Sequence, residues 1–272
     1  HLENIMHSIR RGRGDLALHF GGESNAKSDL ENRQYRVYER AVENYHRLDP
    51  DFRSMLSGFA AGLNRYVDQH RDELPDWIPT VNGHDIAAHG LTGVMRFAFD
   101  RKDIVRDFLK SHGVETAAVD GVAGDESVDS ELGSNMWALA PSRTETGNTI
   151  LMGNPHQRWS QVATYYEAQL TVPGVIDFYG STFVGRPVLT TGWNRHLGWS
   201  HTVNYPDLEE IYELDVDPER ADCFLFDGGS VPLARDDVEV QVKTDAGIET
   251  RKKTCWHSPL GPVIHRDAEH VY

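Results

Sequence analysis

Two cysteines in 272 residues, no apolar run long enough to cross a bilayer, and 27 basic side chains against 42 acidic ones are what this sequence has least of. Each shortage excludes something. Without a stretch of about 20 apolar residues there is no spanning helix, although 39% hydrophobic residues suffice for a globular core. A chain of this length can bury one large core or two smaller ones. The formal net charge of −15 argues against nucleic acid and against anionic membrane surfaces as partners. Fourteen histidines are present, yet none shows zinc spacing; His84 and His89 lack a supporting carboxylate motif. Repeats and low-complexity tracts are missing, and the chain opens on His1-Leu2-Glu3 with no initiator Met and no signal-peptide pattern.

Cys223 and Cys255 could pair in an oxidising compartment. Turns near Gly228-Gly229 and Asp245-Ala246 predict a three-strand meander with the cysteines on its outer strands. That puts them roughly 9–10 Å apart, beyond disulfide reach, whereas a different strand order would bring them within it.

Residues 1–110 read as helical. Ile5, Met6 and Ile9 recur at helical spacing, as do Tyr35, Tyr38, Val42 and Tyr45. Asp49-Pro50 starts a helix with proline in its first turn, carrying Phe52, Met55, Leu56, Phe59, Leu63, Tyr66 and Val67 on one side. Asp85 is the expected cap of the next helix. From Gly113 to Leu132 the chain turns small, polar and acidic, a composition that suits a linker or a surface loop. Beyond it lie β-type runs: Tyr165 to Val172, Ile176 to Tyr179, Pro187 to Thr191, Leu197 to Val203, Ile211 to Val216 and Val238 to Val242.

The stretch that organises the rest is Gly133-Ser134-Asn135-Met136-Trp137-Ala138-Leu139 with its return arm Asn148 to His156. The polar segment between them, with Thr146-Gly147 as turn signal, predicts a β-hairpin. A turn centred near Glu145 and Thr146 makes Ser134 face Gln157 beside His156, and opposed residues have Cβ atoms roughly 5 Å apart. A serine hydroxyl is a poor nucleophile without a base. If the peptide bond before Ser134 is cut, the freed α-amine, which titrates near pH ~7.7–8.0, becomes that base. Gly133 favours the cut, because a residue without Cβ leaves its carbonyl open to attack.

Three segments carry a resemblance: Gly133-Ser134-Asn135-Met136-Trp137, then Asn154-Pro155-His156-Gln157-Arg158-Trp159, then Gly192-Trp193-Asn194 before Gly198-Trp199-Ser200-His201-Thr202-Val203. Together they resemble the penicillin acylase family of N-terminal nucleophile hydrolases. The resemblance implies an α+β fold, a partial αββα sandwich with a helical α-subunit portion. It divides the chain into an α-subunit portion (1–112), a spacer ending at the cleavage site (113–133) and the start of the β-subunit (134–272). Self-cleavage at Gly133-Ser134 would yield an α/β heterodimer. Family precursors are longer, so the chain is expected to be an internal fragment, exported to the periplasm or secreted.

The resemblance also assigns roles. Ser134 is the nucleophile, His156 orients it, and the backbone N–H of Val203 donates to the oxyanion, a task for which a fixed dipole matters and the side chain does not. The second oxyanion donor and the acid partner lie downstream of this chain in the family. Arg96 and Phe97 correspond to a gating pair of the acyl pocket, Tyr166 to a pocket tyrosine, and Gln157 stands where most relatives have Phe. Thr190 replaces the arginine that holds a glutaryl carboxylate in cephalosporin acylases. An unpaired buried carboxylate is costly, so an aliphatic acyl group is expected, as in the branch acting on N-acyl homoserine lactones and lipopeptides. The expected reaction is therefore hydrolysis of an N-acylated small molecule with no required cofactor. A β-lactam acylase is the in-class alternative, and a non-catalytic module holding acylated ligands the out-of-class one. Asp207 and Glu210, with Glu209 nearby, either hold a structural calcium, as in several penicillin acylases, or are solvated loop acids.

Overall fold

Among the described residues seven helices precede residue 112 and every strand follows residue 133, which makes the fold mixed α+β. The computed structural model describes residues 1–98, 102–113, 133–157, 164–202 and 210–272. The helices are α1 (Leu2–Arg13), α2 (Leu16–Phe20), α3 (Glu23–Gln34), α4 (Val37–Asn44), α5 (Pro50–Gln69), α6 (Gly83–Ala98) and α7 (Lys102–Ser111).

Local chemistry sets the helix starts. Asp49 accepts hydrogen bonds from the Asp51 and Phe52 amides at 2.9 and 3.3 Å, and Pro50 fills the first turn of α5, where a missing N–H costs nothing. Helix α6 is capped differently from the expectation. Asn82 is its cap, its Oδ1 accepting from the His84 and Asp85 amides, while Asp85 Oδ2 accepts from the Asn82 amide at 2.8 Å. Asp85 thus closes a reciprocal capping box from inside the helix.

The apolar stripes are narrower than their spacing suggests. Ile5, Met6 and Ile9 are buried as expected. On α5 the buried line is Leu56, Ala60 and Val67, whereas Phe52 lies exposed in the first turn and Tyr66 projects about a quarter-turn off that line. On α4, Val37 and Ala41 pack inward and Val42 faces out.

The chain forms two compact units, each taking helices from the first half of the sequence and strands from the second. One comprises His1–Ser8, Asp49–Ile86 and Gly124–Pro206. In it, Asn64 of α5 grips residue 81 at two points, donating to the Val81 carbonyl at 2.8 Å and accepting from its amide at 2.9 Å. Its strands are the hairpin β1 (Ser134–Leu139) and β2 (Ile150–Pro155), then β3 (Tyr165–Val172), β4 (Ile176–Phe183), β5 (Thr191–Trp193) and β6 (Gly198–Trp199) in sequential antiparallel order. Strand β3 has the expected bounds and β4 runs four residues further. The expected strand from Pro187 starts only at Thr191, consistent with a proline that has no N–H to give a ladder. The run expected from Leu197 shortens to two residues.

What lets β4 and β5 pair is a cross-strand glycine pair. A Cβ on Gly180 would fall 2.1 Å from the Thr191 carbonyl oxygen, and one on Gly192 2.2 Å from that of Tyr179. The Phe178 ring covers both glycines and stacks on Trp199 with centroids 4.6 Å apart.

The second unit comprises Ile9–Leu48, Ala87–Ala123 and Asp207–Tyr272. Here β7 (Leu214–Asp217), β8 (Arg220–Phe226) and β9 (Gly229–Pro232) form a sheet with β13 (His270–Val271) at its edge, while β10 (Ala234–Thr244), β11 (Gly247–Ser258) and β12 (Gly261–Pro262) form another. The expected three-strand meander is therefore divided at Leu233, whose amide still donates to the Asp222 carbonyl at 2.9 Å while its side chain is buried with Phe224 and Val271. Cys223 pairs in register with Pro232 and Cys255 with Asp236, in different sheets, and both thiols are buried and free.

Alternate residues of β10 (Val238, Val240, Val242) are buried, and Val240 and Val242 pack on Ala17 and Ala26. Beneath them Asp29, fully buried, accepts from the Leu16 and Ala17 amides at 3.0 and 2.7 Å, at the start of α2. Burial outweighs these two bonds and pushes its pKa up to about 6.

The folded state therefore holds the Asp29 proton more tightly than the unfolded chain, so this group's contribution to stability falls as pH rises from about 4 through about 6. Asp29→Asn should remove that dependence. Urea unfolding between pH 4.5 and 7.5 should show the wild type's advantage over the variant shrinking by about 2 kcal/mol. A difference independent of pH would remove Asp29 from this role.

Candidate active site

The hairpin ends where the chemistry is expected. Residues Pro141–Arg143 coil into a 3₁₀ turn, and Thr144 closes the loop by donating from Oγ1 to the Asn148 carbonyl at 2.8 Å. That moves the turn towards the N-terminus and sets the register two residues away from the expected one: Ser134 pairs with Pro155 rather than Gln157. The ladder continues one step beyond the strands, with the His156 amide donating to the Gly133 carbonyl at 2.9 Å. Gly133 and His156 are thus opposed across the open end, with Ser134 one residue inside.

The side chains there form a small polar cluster. Ser134 Oγ donates to the Gly133 carbonyl oxygen at 2.6 Å, across the peptide bond that joins the two residues. The His156 ring lies over Gly133, its Nδ1 3.5 Å from where a Cβ on that glycine would stand. On its other side, His156 Nε2 meets the amide nitrogens of Asn135 at 2.9 Å and Asn154 at 3.4 Å. Asn135 and Asn154 are directly opposed on β1 and β2. Both belong to segments that stand out in the sequence, yet the motifs assign them no task; the signal that finds them is the strand alternation, which sets them on one rung beside His156.

Behind the hairpin runs the segment from β6 towards Val203. Gly153 leaves room for Ser200, whose Oγ stands 2.4 Å from the position of a Cβ at residue 153, and Gly198 sits under Leu151. The Thr190 carbonyl anchors this segment, accepting from Trp199 Nε1 at 2.8 Å and from His201 Nε2 at 2.7 Å. Val203 itself lies outside the described residues, two positions beyond that anchor.

The remaining predicted residues divide. Tyr166, opposite Thr182 on β4, donates to the Arg186 carbonyl at 2.8 Å, and burial raises its pKa. The Thr190 hydroxyl is directed at the Ser181 carbonyl and the Thr182 hydroxyl. Gln157 is half-buried just past the hairpin. Arg96 and Phe97 belong to the last turn of α6, and their side chains lie outside the described residues. Asp207 and Glu209 also lie outside them; Glu210 is exposed. Among the described residues no group of three or more His, Cys, Asp or Glu is placed to hold a metal.

One cation beside Tyr166 stands out. The Arg186 guanidinium lies 5.3 Å from the centre of the Phe183 ring, which packs on Tyr165 at 4.4 Å. Burial lowers its pKa, and no carboxylate among the described residues pairs with it.

The contact between Gly153 and Ser200 yields a prediction. Gly153→Ala should force the hairpin away from the 198–202 segment and cost about 1–3 kcal/mol, the usual penalty for overpacking. Ser200→Gly added to it should recover most of the loss. Thermal unfolding of both variants checks this; additive losses would show that the two residues do not meet.

Comparison with known proteins adds the lineage. Acyl-homoserine lactone acylase PvdQ of Pseudomonas putida is 29% identical over 275 residues, covering 92% of this chain and 35% of the relative. The enzyme of the same name from Pseudomonas fluorescens is 30% identical over 272 residues, with the same coverage. Aculeacin-A acylase of Actinoplanes utahensis is 31% identical, covering 95% of this chain and 36% of its own length. The chain thus spans little more than a third of the relatives it matches. The family described as penicillin amidase matches it from residue 1 to residue 272, and the chain belongs to that family.

Proposed function

We propose that this chain carries the nucleophile of an amidohydrolase that frees a carboxylic acid from an N-acylated small molecule. The observation that carries the reading is Ser134 Oγ seated 2.6 Å from the Gly133 carbonyl oxygen. A hydroxyl in that place adjoins the carbonyl it must attack to transfer the glycyl group from nitrogen to oxygen. Hydrolysis of the resulting ester would expose Ser134 as an N-terminus and give an α/β heterodimer. Its α-amine then serves as base, near pH ~7.7–8.0 when unperturbed, for the attack on substrate. The Val203 N–H would stabilise the oxyanion.

The acyl group we infer is aliphatic. Thr190 supplies no cation, Tyr166 and Phe97 are the proposed pocket walls together with Gln157 and Arg96, and relatives at about 30% identity are named for acyl-homoserine lactones and for aculeacin A. Each buried CH₂ adds roughly 0.8 kcal/mol, which favours longer chains until the cleft is full. Location outside the cytoplasm and a calcium held by Asp207 and Glu210 rest on family likeness alone.

Arg186 favours a second reading, a β-lactam acylase that takes a dicarboxylic side chain. Its half-buried guanidinium is the kind of group that would welcome a carboxylate.

Intact-mass analysis of the full-length protein tests the first step: two subunits are expected, with Ser134 as a new N-terminus, and one chain only for Ser134→Ala. A wild type that stays whole would favour a binding module instead. A panel of acyl amides compared by kcat/KM tests the second. Neutral aliphatic acyls should exceed glutaryl of similar size; the reverse order would move the assignment to Arg186 and the dicarboxylic class.

A further inference from the structure

The proton on His156 has a fixed address. Nε2 faces two amide nitrogens, Asn135 Nδ2 at 2.9 Å and Asn154 Nδ2 at 3.4 Å, and both can only donate. A neutral imidazole that accepts at one nitrogen carries its hydrogen on the other. Nδ1, the nitrogen lying over Gly133, is therefore a donor. We infer that Asn135 and Asn154 are positioning residues that hold His156 as the Nδ1–H tautomer, so that the ring offers a proton, not a lone pair, to the Gly133–Ser134 bond.

This inference rests on the self-cleavage reading above and assigns that step a hydrogen-bond donor. In the rearrangement the C–N bond and the Ser134 O–H bond break while a C–O bond and an N–H bond form, so the hydroxyl's own proton supplies the new N–H and no outside reactant is consumed. That proton starts out directed at the Gly133 carbonyl oxygen. An Nδ1–H ring can donate a hydrogen bond to the Gly133–Ser134 bond as the charge develops, and it ends unchanged. The same tautomer cannot accept the hydroxyl proton at Nδ1. It follows that His156 acts on the cleavage as a hydrogen-bond donor.

The geometry singles out Asn135 over Asn154 as the stronger partner, being the shorter contact. Both side chains are exposed, so their replacement need not disturb the core. Asn135→Asp reverses the polarity of that contact. A carboxylate only accepts, so the hydrogen of the neutral ring should move to Nε2.

The test uses the full-length protein with ¹⁵N-labelled histidine in a Ser134→Ala background, with His156→Gln to assign the signal. Ring ¹⁵N shifts should report Nδ1–H in the parent and Nε2–H in Asn135→Asp at pH 9. In the Ser134-containing protein, Asn135→Asp should cleave about a hundredfold slower at pH 9, within the range of a general acid–base contribution. Asn135→Gln, which keeps an amide donor, should rescue most of the rate. An Nε2–H ring in the parent overturns the inference, whatever the cleavage does. A switched tautomer with unchanged cleavage overturns the positioning role. Cleavage that survives Ser134→Ala defeats the nucleophile reading instead, and leaves the tautomer result standing on its own.

Discussion

Everything at the candidate site depends on one backbone hydrogen bond, from the His156 amide to the Gly133 carbonyl. It extends the β1–β2 ladder one rung past the last paired strand residues and fixes the carbonyl beside which Ser134 waits. A carbonyl tied to the opposite strand is held beside the hydroxyl, so the Gly133 carbonyl and Ser134 Oγ share one frame. The same bond brings the imidazole over Gly133, where any Cβ would meet it at ordinary contact distance. Glycine at that place leaves the carbonyl carbon uncovered while the ring stands guard on one side.

Around that frame, small residues decide which backbones can come close. Gly153 admits Ser200, and the pair Gly180 and Gly192 lets two strands approach to a distance at which any side chain would strike a carbonyl oxygen. Phe178 then roofs the gap that the missing side chains leave and passes the contact on to Trp199. Trp199 in turn donates to the Thr190 carbonyl, which also holds His201. A chain of contacts thus runs from a glycine pair in the sheet to the residues that precede Val203.

Some of this is legible in the sequence because the deciding forces are local. Asp49-Pro50 announces a helix start through groups within three residues of each other. Strand β3 is readable residue for residue, a β-type run that ends on the Pro173-Gly174 turn signal. Ser134 and His156 can be placed on facing arms, yet the register comes out two residues off, because the 3₁₀ turn at 141–143 is invisible to a pattern that sees only a polar segment. Asp85 has the look of a cap, and only the identity of its partner Asn82 shows that it closes a box from within. Leu233 divides the two sheets and shares a core with Val271, a residue far along the chain that no local pattern connects to it. Asp29 is equally hidden: nothing near it in sequence reveals that it will be buried under α2. The αββα sandwich and the assigned roles come from family likeness, not from spacing.

The distribution of helices and strands between the units has a consequence for time as well as space. Ala17 and Ala26 share a core with Val240 and Val242, Glu23 pairs with Arg251 at 2.5 Å, and Lys253 donates to Gln34 at 2.8 Å. Partners on the two sides of the 133–134 bond are thus woven through one another, which matters if the proposed cut is made. Once severed, the pieces would stay together, yet a severed pair that came apart would have to find each other again as separate molecules. Assembly would become a history-dependent event, performed once while the chain is whole and then locked in by a rate rather than by an equilibrium.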